Sequence, residues 1–149
     1  MIDQSRSALL VSPCLDDRLI FTDIFERQHW SLSAVAGLRP ALTALRRRPV
    51  PLVIAERDFR VGGWKDLLAA VRDLPNPPAL VVISRLADER LWSEVLNLGG
   101  HDVLAKPLRE AEVLWVFRHV FEKSAGPQPH VAGTEPAPAS GCFARAAGC

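Results

Sequence analysis

The sequence predicts an α/β fold in which helices cover both faces of a doubly wound, five-stranded parallel sheet. Two continuous apolar runs, at residues 50–55 and 79–83, have the length and β-branched content of strands buried on both faces. Shorter strand-like runs occur at 8–11, 31–36 and 102–105, and a segment with helical periodicity follows each strand. This alternation is typical of a parallel sheet whose crossover connections are helices.

The predicted helices are marked by their ends as well as by their apolar spacing. They are expected at about 16–28, 40–47, 64–73, 87–98 and 109–123. In the first helix, Asp16 or Asp17 is the candidate N-cap. The inward face of that helix is predicted to comprise Leu19, Ile20, Ile24 and Phe25. Gly99 stands where a left-handed C-terminal glycine would end the fourth helix.

One charged residue stands directly at the end of a predicted strand. Glu56 follows the apolar run 50–55. Right-handed crossovers place the carboxyl ends of all five strands at one edge of the sheet, namely Ser12, Ala36, Glu56, Ser84 and Ala105. Ligands and reactive groups of open α/β sheets lie at this edge. Glu56 is therefore the first candidate functional residue.

Composition and charge exclude several classes of protein. The chain has 149 residues, 48% hydrophobic and 23% charged, which suits one globular domain. No apolar run approaches the roughly 20 residues of a membrane span, and the N-terminus lacks the apolar core of a signal peptide. The net charge of +1 gives no general attraction to nucleic acid, and the run 46–48 of three arginines is interpreted as a solvated helix end. We therefore expect a cytoplasmic protein with neither membrane nor nucleic acid as a partner.

The cysteines and the C-terminal composition add two further expectations. Cys14, Cys142 and Cys149 show no metal-ligand spacing, so no metal and no cofactor is expected, and their odd number fits a reducing compartment. Residues 124–149 are rich in Gly, Ala, Pro and Ser and lose all hydrophobic periodicity. We predict a domain at 1–123 and a disordered tail at 124–149, in which Phe143 and the two cysteines are the features that a docking peptide would use.

Three motifs together resemble a known family. They are the strand–acid–loop–glycine–helix block at 52–68, the strand ending in Ser84, and the segment 98–108 leading to Lys106-Pro107. Residues 7–122 resemble the CheY-like receiver domain of bacterial two-component response regulators. The resemblance implies a flavodoxin-like (βα)5 fold and a role in signal transduction.

The resemblance also implies a reaction and the residues that would perform it. In receivers, an aspartate at the end of the third strand accepts a phosphoryl group, and an acidic pair at the end of the first strand helps to hold Mg²⁺. A hydroxyl and a lysine ammonium bind the phosphoryl oxygens. Ser84 and Lys106 match these last two positions. Glu56 falls on the acceptor position, while Ser12-Pro13 replaces the acidic pair.

These departures predict a degenerate receiver that is not phosphorylated. Ser12 and Pro13 offer no carboxylate to a metal, and Arg85 fills a position that is usually small. Glu56 is longer than aspartate by one methylene group, which displaces its oxygens. Its carboxylate either imitates the phosphoryl charge by pairing with Lys106 and possibly with Arg85, or merely neutralises Lys106.

The expected function is that of a phosphorylation-independent protein–protein interaction module and not an enzyme. The resemblance places its interface on the face formed by helix 4, strand 5 and helix 5. The candidate interface residues are Trp92, Leu96, Val103 and Trp115, of which Val103 takes the position of the aromatic switch residue. We expect no output domain to follow, and the expected partners are therefore other signalling proteins, such as a histidine kinase or an output protein, or a second copy of the chain.

Two alternatives remain open from the sequence. One is a working phosphotransfer receiver that uses Asp58 as the acceptor or tolerates a weak metal site. The other is a flavodoxin-like domain that binds a small ligand at the sheet edge, for which Gly62-Gly63 is weak evidence.

Overall fold

The computed structural model describes residues 3–124, with side chains described from Arg6 onward. Ten elements alternate strictly along the chain. The strands are β1 (Asp3–Val11), β2 (Trp30–Val35), β3 (Leu52–Glu56), β4 (Ala79–Ser84) and β5 (Asp102–Ala105). The helices are α1 (Leu15–Gln28), α2 (Leu38–Arg47), α3 (Trp64–Val71), α4 (Glu89–Leu98) and α5 (Glu110–Ser124). Apart from Ser124, the predicted tail at 124–149 lies outside the described residues.

All five strands are parallel, and their order in the sheet is β2-β1-β3-β4-β5. The chain first winds outward from β1 to β2 and then returns past β1 to β3, β4 and β5. This order is that of flavodoxin-like folds, in which β1 and β3 border the switch point where the winding direction reverses. The predicted doubly wound α/β fold is therefore confirmed.

Side chains of the central strand β3 serve both faces of the sheet. Leu52 and Ile54 pack in one core with residues of α1 and α5, whereas Val53 and Ala55 pack in a second core with α2, α3 and α4. This alternation follows from the two-residue period of a strand. Full burial of a leucine, isoleucine or valine side chain stabilises the fold by about 1.5–3 kcal/mol. The two cores together therefore hold the sheet between its two helical layers.

Aromatic residues fill much of the core beneath α1 and α5. Phe25 and Phe117 have ring centroids 5.9 Å apart, and Trp30 meets Phe121 edge-on at 5.0 Å. Trp64 is buried in the opposite core. Edge-to-face pairs of this kind add about 0.5–1.5 kcal/mol beyond area burial. Trp30 and Trp64 are thus core residues, with no functional role implied.

The predicted inward face of α1 was wrong at two positions. Leu19 and Ile20 are 58% and 42% exposed. The buried face instead comprises Asp17, Phe21, Ile24 and Phe25, which have the i, i+4, i+7, i+8 spacing of one helical stripe. Compared with the prediction, α1 is rotated about its axis, so that the carboxylate of Asp17 faces the core and the side chains of Leu19 and Ile20 face solvent.

Glycines shape the loop between β3 and α3. Gly62 has φ 83°, a left-handed conformation that favours glycine. A Cβ atom on Gly63 would lie 2.8 Å from the carbonyl oxygen of Arg57. The Gly62–Gly63 pair therefore lets the loop fold back tightly on the end of β3. Within residues 3–124, no helix is long and apolar enough to cross a bilayer.

Candidate functional site

The ends of four strands converge at the carboxyl edge of the sheet. The register pairs Val11 with Ala55, so Ser12 and Glu56 follow directly on neighbouring strands. On the other side, the N–H of Lys106 donates to the carbonyl oxygen of Ser84 at 3.0 Å. The fold therefore brings Ser12, Glu56, Ser84 and Lys106 to one edge, at the switch point between β1 and β3.

The ammonium group of Lys106 joins two carboxylates. Its Nζ atom donates to Oδ2 of Asp17 at 2.8 Å and also to Oε1 of Glu56. The side chain of Lys106 is 12% exposed and that of Asp17 is 3% exposed. Because solvent screens such buried charges poorly, each anion depends on the shared cation for its stabilisation. We call Asp17, Glu56 and Lys106 the ion-pair triad.

Asp17 is the site residue that the sequence reading missed. It was expected as a helix cap, but the N-cap is Cys14 and makes no side-chain capping bond. The carboxylate of Asp17 turns inward, where Oδ2 also accepts a hydrogen bond of 2.8 Å from Oγ of Ser12. The signal that could have found it is the helical stripe that Asp17 shares with Phe21, Ile24 and Phe25.

Backbone groups complete the hydrogen bonding of the site. The N–H of Cys14 donates to Oγ of Ser12 at 3.0 Å, and the N–H of Arg57 donates to Oε2 of Glu56 at 2.6 Å. Glu56 is thus held through both carboxylate oxygens, one by Lys106 and one by its own loop. Buried polar groups normally have such partners, so the arrangement is a satisfied network.

Three other predicted site residues lie outside the triad. The hydroxyl oxygen of Ser84 accepts from the N–H of Leu86 at 3.0 Å and so holds the loop after β4. Pro13 and Arg85 are both exposed. Within the described residues, Glu56 pairs with Lys106 and not with Arg85. The third member of the triad is Asp17, a second carboxylate on Lys106 and not a second cation on Glu56.

The pKa of Lys106 follows from two opposing causes. Burial favours the neutral amine and lowers the pKa. Hydrogen bonds and the negative charges of Asp17 and Glu56 favour the ammonium form, and together they raise the pKa above its ordinary value. Lys106 is therefore a fixed cation at neutral pH and not a general base.

The raised pKa predicts a loss of stability in alkali. A group whose pKa is higher in the folded protein stabilises the fold fully below its unfolded pKa, about 10.4 for lysine, and loses that contribution as the pH rises through the folded pKa. We expect urea unfolding from pH 7 to 11.5 to show this loss above about pH 10. The chain has three lysines and no tyrosine, so few other groups titrate there.

The control for this pH dependence is a chain in which the amine is absent. In Lys106→Met the alkaline loss should be much smaller, because no ammonium remains to be deprotonated. Parallel profiles for the two proteins above pH 10 would contradict the assignment.

The donors of this site do not fit a divalent cation. Mg²⁺ needs oxygen ligands at about 2.0–2.1 Å in near-octahedral geometry. Here the two carboxylates are bound to a lysine ammonium, and the hydroxyl of Ser12 donates a hydrogen bond to Asp17. Across residues 6–124, no three His, Cys, Asp or Glu side chains come together in a metal-binding group.

The candidate interface is only partly on the surface. Val103 was predicted to contribute to an exposed patch, and this was wrong, since the residue is 7% exposed and packs in the core with Leu91 and Val95. The strand alternation of β5 directs its side chain beneath α4, and half-buried Trp92 packs against the same cluster. Leu96 is exposed, and Trp115 is 43% exposed.

Trp115 forms an aromatic pair on the outer side of α5. Its ring centroid lies 4.2 Å from that of His119, whose Nδ1 is 2.8 Å from the carbonyl oxygen of Trp115. The same helix face borders a shallow pocket of 370 Å³ together with Leu114 and Arg118. This face of α5 presents a pre-ordered aromatic surface to solvent.

Asp58 lies in the loop after β3, away from the triad contacts. Its side chain is exposed, and its carboxylate is 3.5 Å from Nε of Arg57. A single bridge pairs its backbone with Gly63.

Comparison with solved structures places this fold among signal receiver domains. The receiver domain of Francisella response regulator 1452 superimposes with a TM-score of 0.73 at 15% identity, covering 79% of this chain and 98% of that one. The receiver domain of an HD domain-containing protein from Pseudomonas fluorescens gives 0.73 at 22%, covering 80% and 96%. CheY of Borrelia burgdorferi, in a complex with CheX, BeF3 and Mg²⁺, gives 0.72 at 20%, covering 80% and 90%. The class defined by these likenesses is the receiver fold.

A sequence relative agrees with the structural likeness. The two-component response regulator-like protein APRR1 of Arabidopsis thaliana is 26% identical over 130 residues, which cover 82% of this chain. This chain spans 21% of the length of that relative. No protein-family model matches the chain.

Proposed function

We propose that this chain is a degenerate receiver domain of response-regulator signalling that acts, without phosphorylation, as a protein–protein interaction module. The observation that carries the proposal is the ion-pair triad, in which Lys106 is bound to both Asp17 and Glu56. The receiver fold supports the signalling class, and the triad supports the loss of the reaction.

The triad occupies the groups that phosphorylation would need. In a receiver the lysine stabilises the phosphoryl group, but here a glutamate from the end of β3 already binds it. Glu56 supplies at this edge a permanent negative charge, as an aspartyl phosphate would supply a transient one. Borrelia CheY was solved with BeF3 and Mg²⁺, and we propose that this chain binds neither in the same way.

Incubation with acetyl phosphate and Mg²⁺ tests the proposal directly. We expect the intact mass of the protein to stay unchanged, because the lysine is engaged and the donors do not fit the metal. An ordinary receiver domain, treated in parallel, should gain one phosphate and so validates the conditions.

The variant Asp58→Asn is the matched control for the alternative acceptor. If the unaltered chain gained a phosphate and Asp58→Asn did not, Asp58 would be the acceptor and the alternative of a working receiver would be correct. A gain in both proteins would point to Glu56 or to another residue, and the proposal would fail in either case.

We propose the outer face of α5, around Trp115, as the contact surface for a partner or for a second copy. Exposed tryptophans anchor interfaces because they bury a large area at low entropic cost. Trp115→Ala should reduce self-association in sedimentation velocity, or capture of signalling proteins from the native cell, by about tenfold or more.

The matched control is Leu15→Ala, which removes an exposed apolar side chain of α1. It should leave both measurements unchanged, and neither variant should lower the unfolding midpoint appreciably. Identical sedimentation and capture for Trp115→Ala and the unaltered chain would show that the outer face of α5 is not the interface.

A further inference from the structure

A groove of 780 Å³ lies between α2 and the sheet, remote from the ion-pair triad. One face of α2 forms its upper wall, with Arg39, Thr43 and Arg47 at successive i, i+4 positions. Ser33 of β2 and the C-cap residue Arg48 also line the groove. Apolar side chains complete the lining, namely Leu9, Pro40, Ala44, Leu45 and Val50.

The charge of this groove is uncompensated. Residues 28–55 contain four arginines and not one carboxylate, although the whole chain is almost neutral at +1. Within the described part of the chain, Arg39, Arg47 and Arg48 take part in no ion pair, whereas Arg27 and Arg57 each have an acidic partner. Three guanidinium groups thus surround an apolar floor, and no aspartate or glutamate is among the residues that line the groove.

The strand that borders the groove is an edge strand. β2 pairs with β1 on one side, and no strand within residues 3–124 pairs with its other side. Ser31 and Ser33 lie on its α2-facing side and are partly or fully exposed. An open edge beside a groove favours a ligand in extended conformation, because free N–H and C=O groups are available to it.

We propose that the α2–β2 groove binds an extended acidic segment of a partner protein. Arg39 and Arg47 are eight residues apart on α2, which corresponds to about 12 Å along the helix axis. Carboxylates four residues apart on an extended chain lie about 13 Å apart on the same side. The matching segment therefore has two acidic residues at i and i+4, with an apolar residue at i+2 that meets the groove floor.

The apolar floor favours a peptide over other anions. Phosphates of a nucleic acid would pair with the arginines but leave the apolar residues Pro40, Ala44 and Val50 uncovered. The spacing of the phosphates is also set by the nucleic-acid backbone and not by alternate side chains of an extended peptide. Guanidinium groups pair with carboxylates in a bidentate manner, which fixes the register of the bound segment. The inference is independent of the triad and of the proposed function.

Fluorescence anisotropy with a labelled peptide tests the proposal. The probe is Ser-Ser-Glu-Ser-Val-Ser-Glu-Ser-Ser, titrated with the full chain at about 0.15 M salt, where unspecific attraction is screened beyond about 8 Å. We expect a dissociation constant on the order of 10–100 µM, as for small transient interfaces. The double variant Arg39→Gln/Arg47→Gln should weaken binding about tenfold or more.

The controls separate position from charge. Arg46→Gln changes the same helix by the same type of charge but lies outside the groove, so it should weaken binding by less than about threefold. A peptide with both glutamates replaced by glutamine, or with the glutamates at i and i+2, should bind about tenfold more weakly. The proposal would be overturned by a dissociation constant weaker than about 1 mM for the probe peptide. Equal affinity for the control peptides, or tighter binding of a duplex DNA of equal charge, would also overturn it.

Discussion

Replacement of Lys106 by methionine should lower the free energy of unfolding by about 3–5 kcal/mol. Methionine keeps most of the side-chain volume but leaves Asp17 and Glu56 without their shared cation at the sheet edge. Both carboxylates then face each other with poor solvation. Since small domains are stable by only about 5–15 kcal/mol, the loss would be a large share of the total. Urea unfolding, followed by tryptophan fluorescence, measures it at pH 7.

Lys65→Met is the control for this loss. Lys65 forms an ion pair with Glu94 between α3 and α4, but both side chains are well exposed. Exposed pairs are worth less than about 1 kcal/mol, so the control should remain close to the unaltered chain. If Lys106→Met lowered the free energy of unfolding as little as Lys65→Met, the triad would not stabilise the fold.

The change Asp17→Asn should cost about 2 kcal/mol and more than Glu56→Gln. Asp17 is almost completely buried and accepts from both Ser12 and Lys106, whereas Glu56 is closer to solvent and is partly held by the N–H of Arg57. Asparagine keeps one acceptor oxygen but removes the buried negative charge that pairs with Lys106. Urea unfolding of both variants at pH 7 gives the comparison.

A double-mutant cycle identifies the contact that is responsible. Asp17→Asn combined with Lys106→Met should cost at least about 1 kcal/mol less than the sum of the single changes, because each single change already breaks the same ion pair. Additive losses, or a larger effect for Glu56→Gln than for Asp17→Asn, would show that the two groups act separately.

The fold could be predicted from the sequence because its signals are local. The runs at 52–55 and 80–83 are fully buried as their continuous apolar character indicated. Gly99 ends α4 in the left-handed conformation, and Lys106 is the residue directly after the end of β5. Each of these features depends on a few consecutive residues and on the period of one element.

The site was less predictable, because its decisive contact is not local. Asp17 and Lys106 are 89 residues apart, and the local signal that marks Asp17 as buried is the helical stripe it shares with Phe21, Ile24 and Phe25. An acid near the start of a helix is usually a cap or a solvated residue, so apolar spacing assigned the inward face to Leu19 and Ile20. The prediction that Val103 is exposed was wrong for a related reason, since the exposure of a residue in a four-residue strand depends on the helix packed over it.

The sequence separation between Asp17 and Lys106 determines the stage of synthesis at which their ion pair can form. The first 56 residues carry both carboxylates of the triad, while their counter-ion is found only at position 106. Domains are synthesised from the N-terminus, and an incomplete chain would have to bury two like charges without compensation. The two carboxylates therefore gain their shared counter-ion only after β5 has been made.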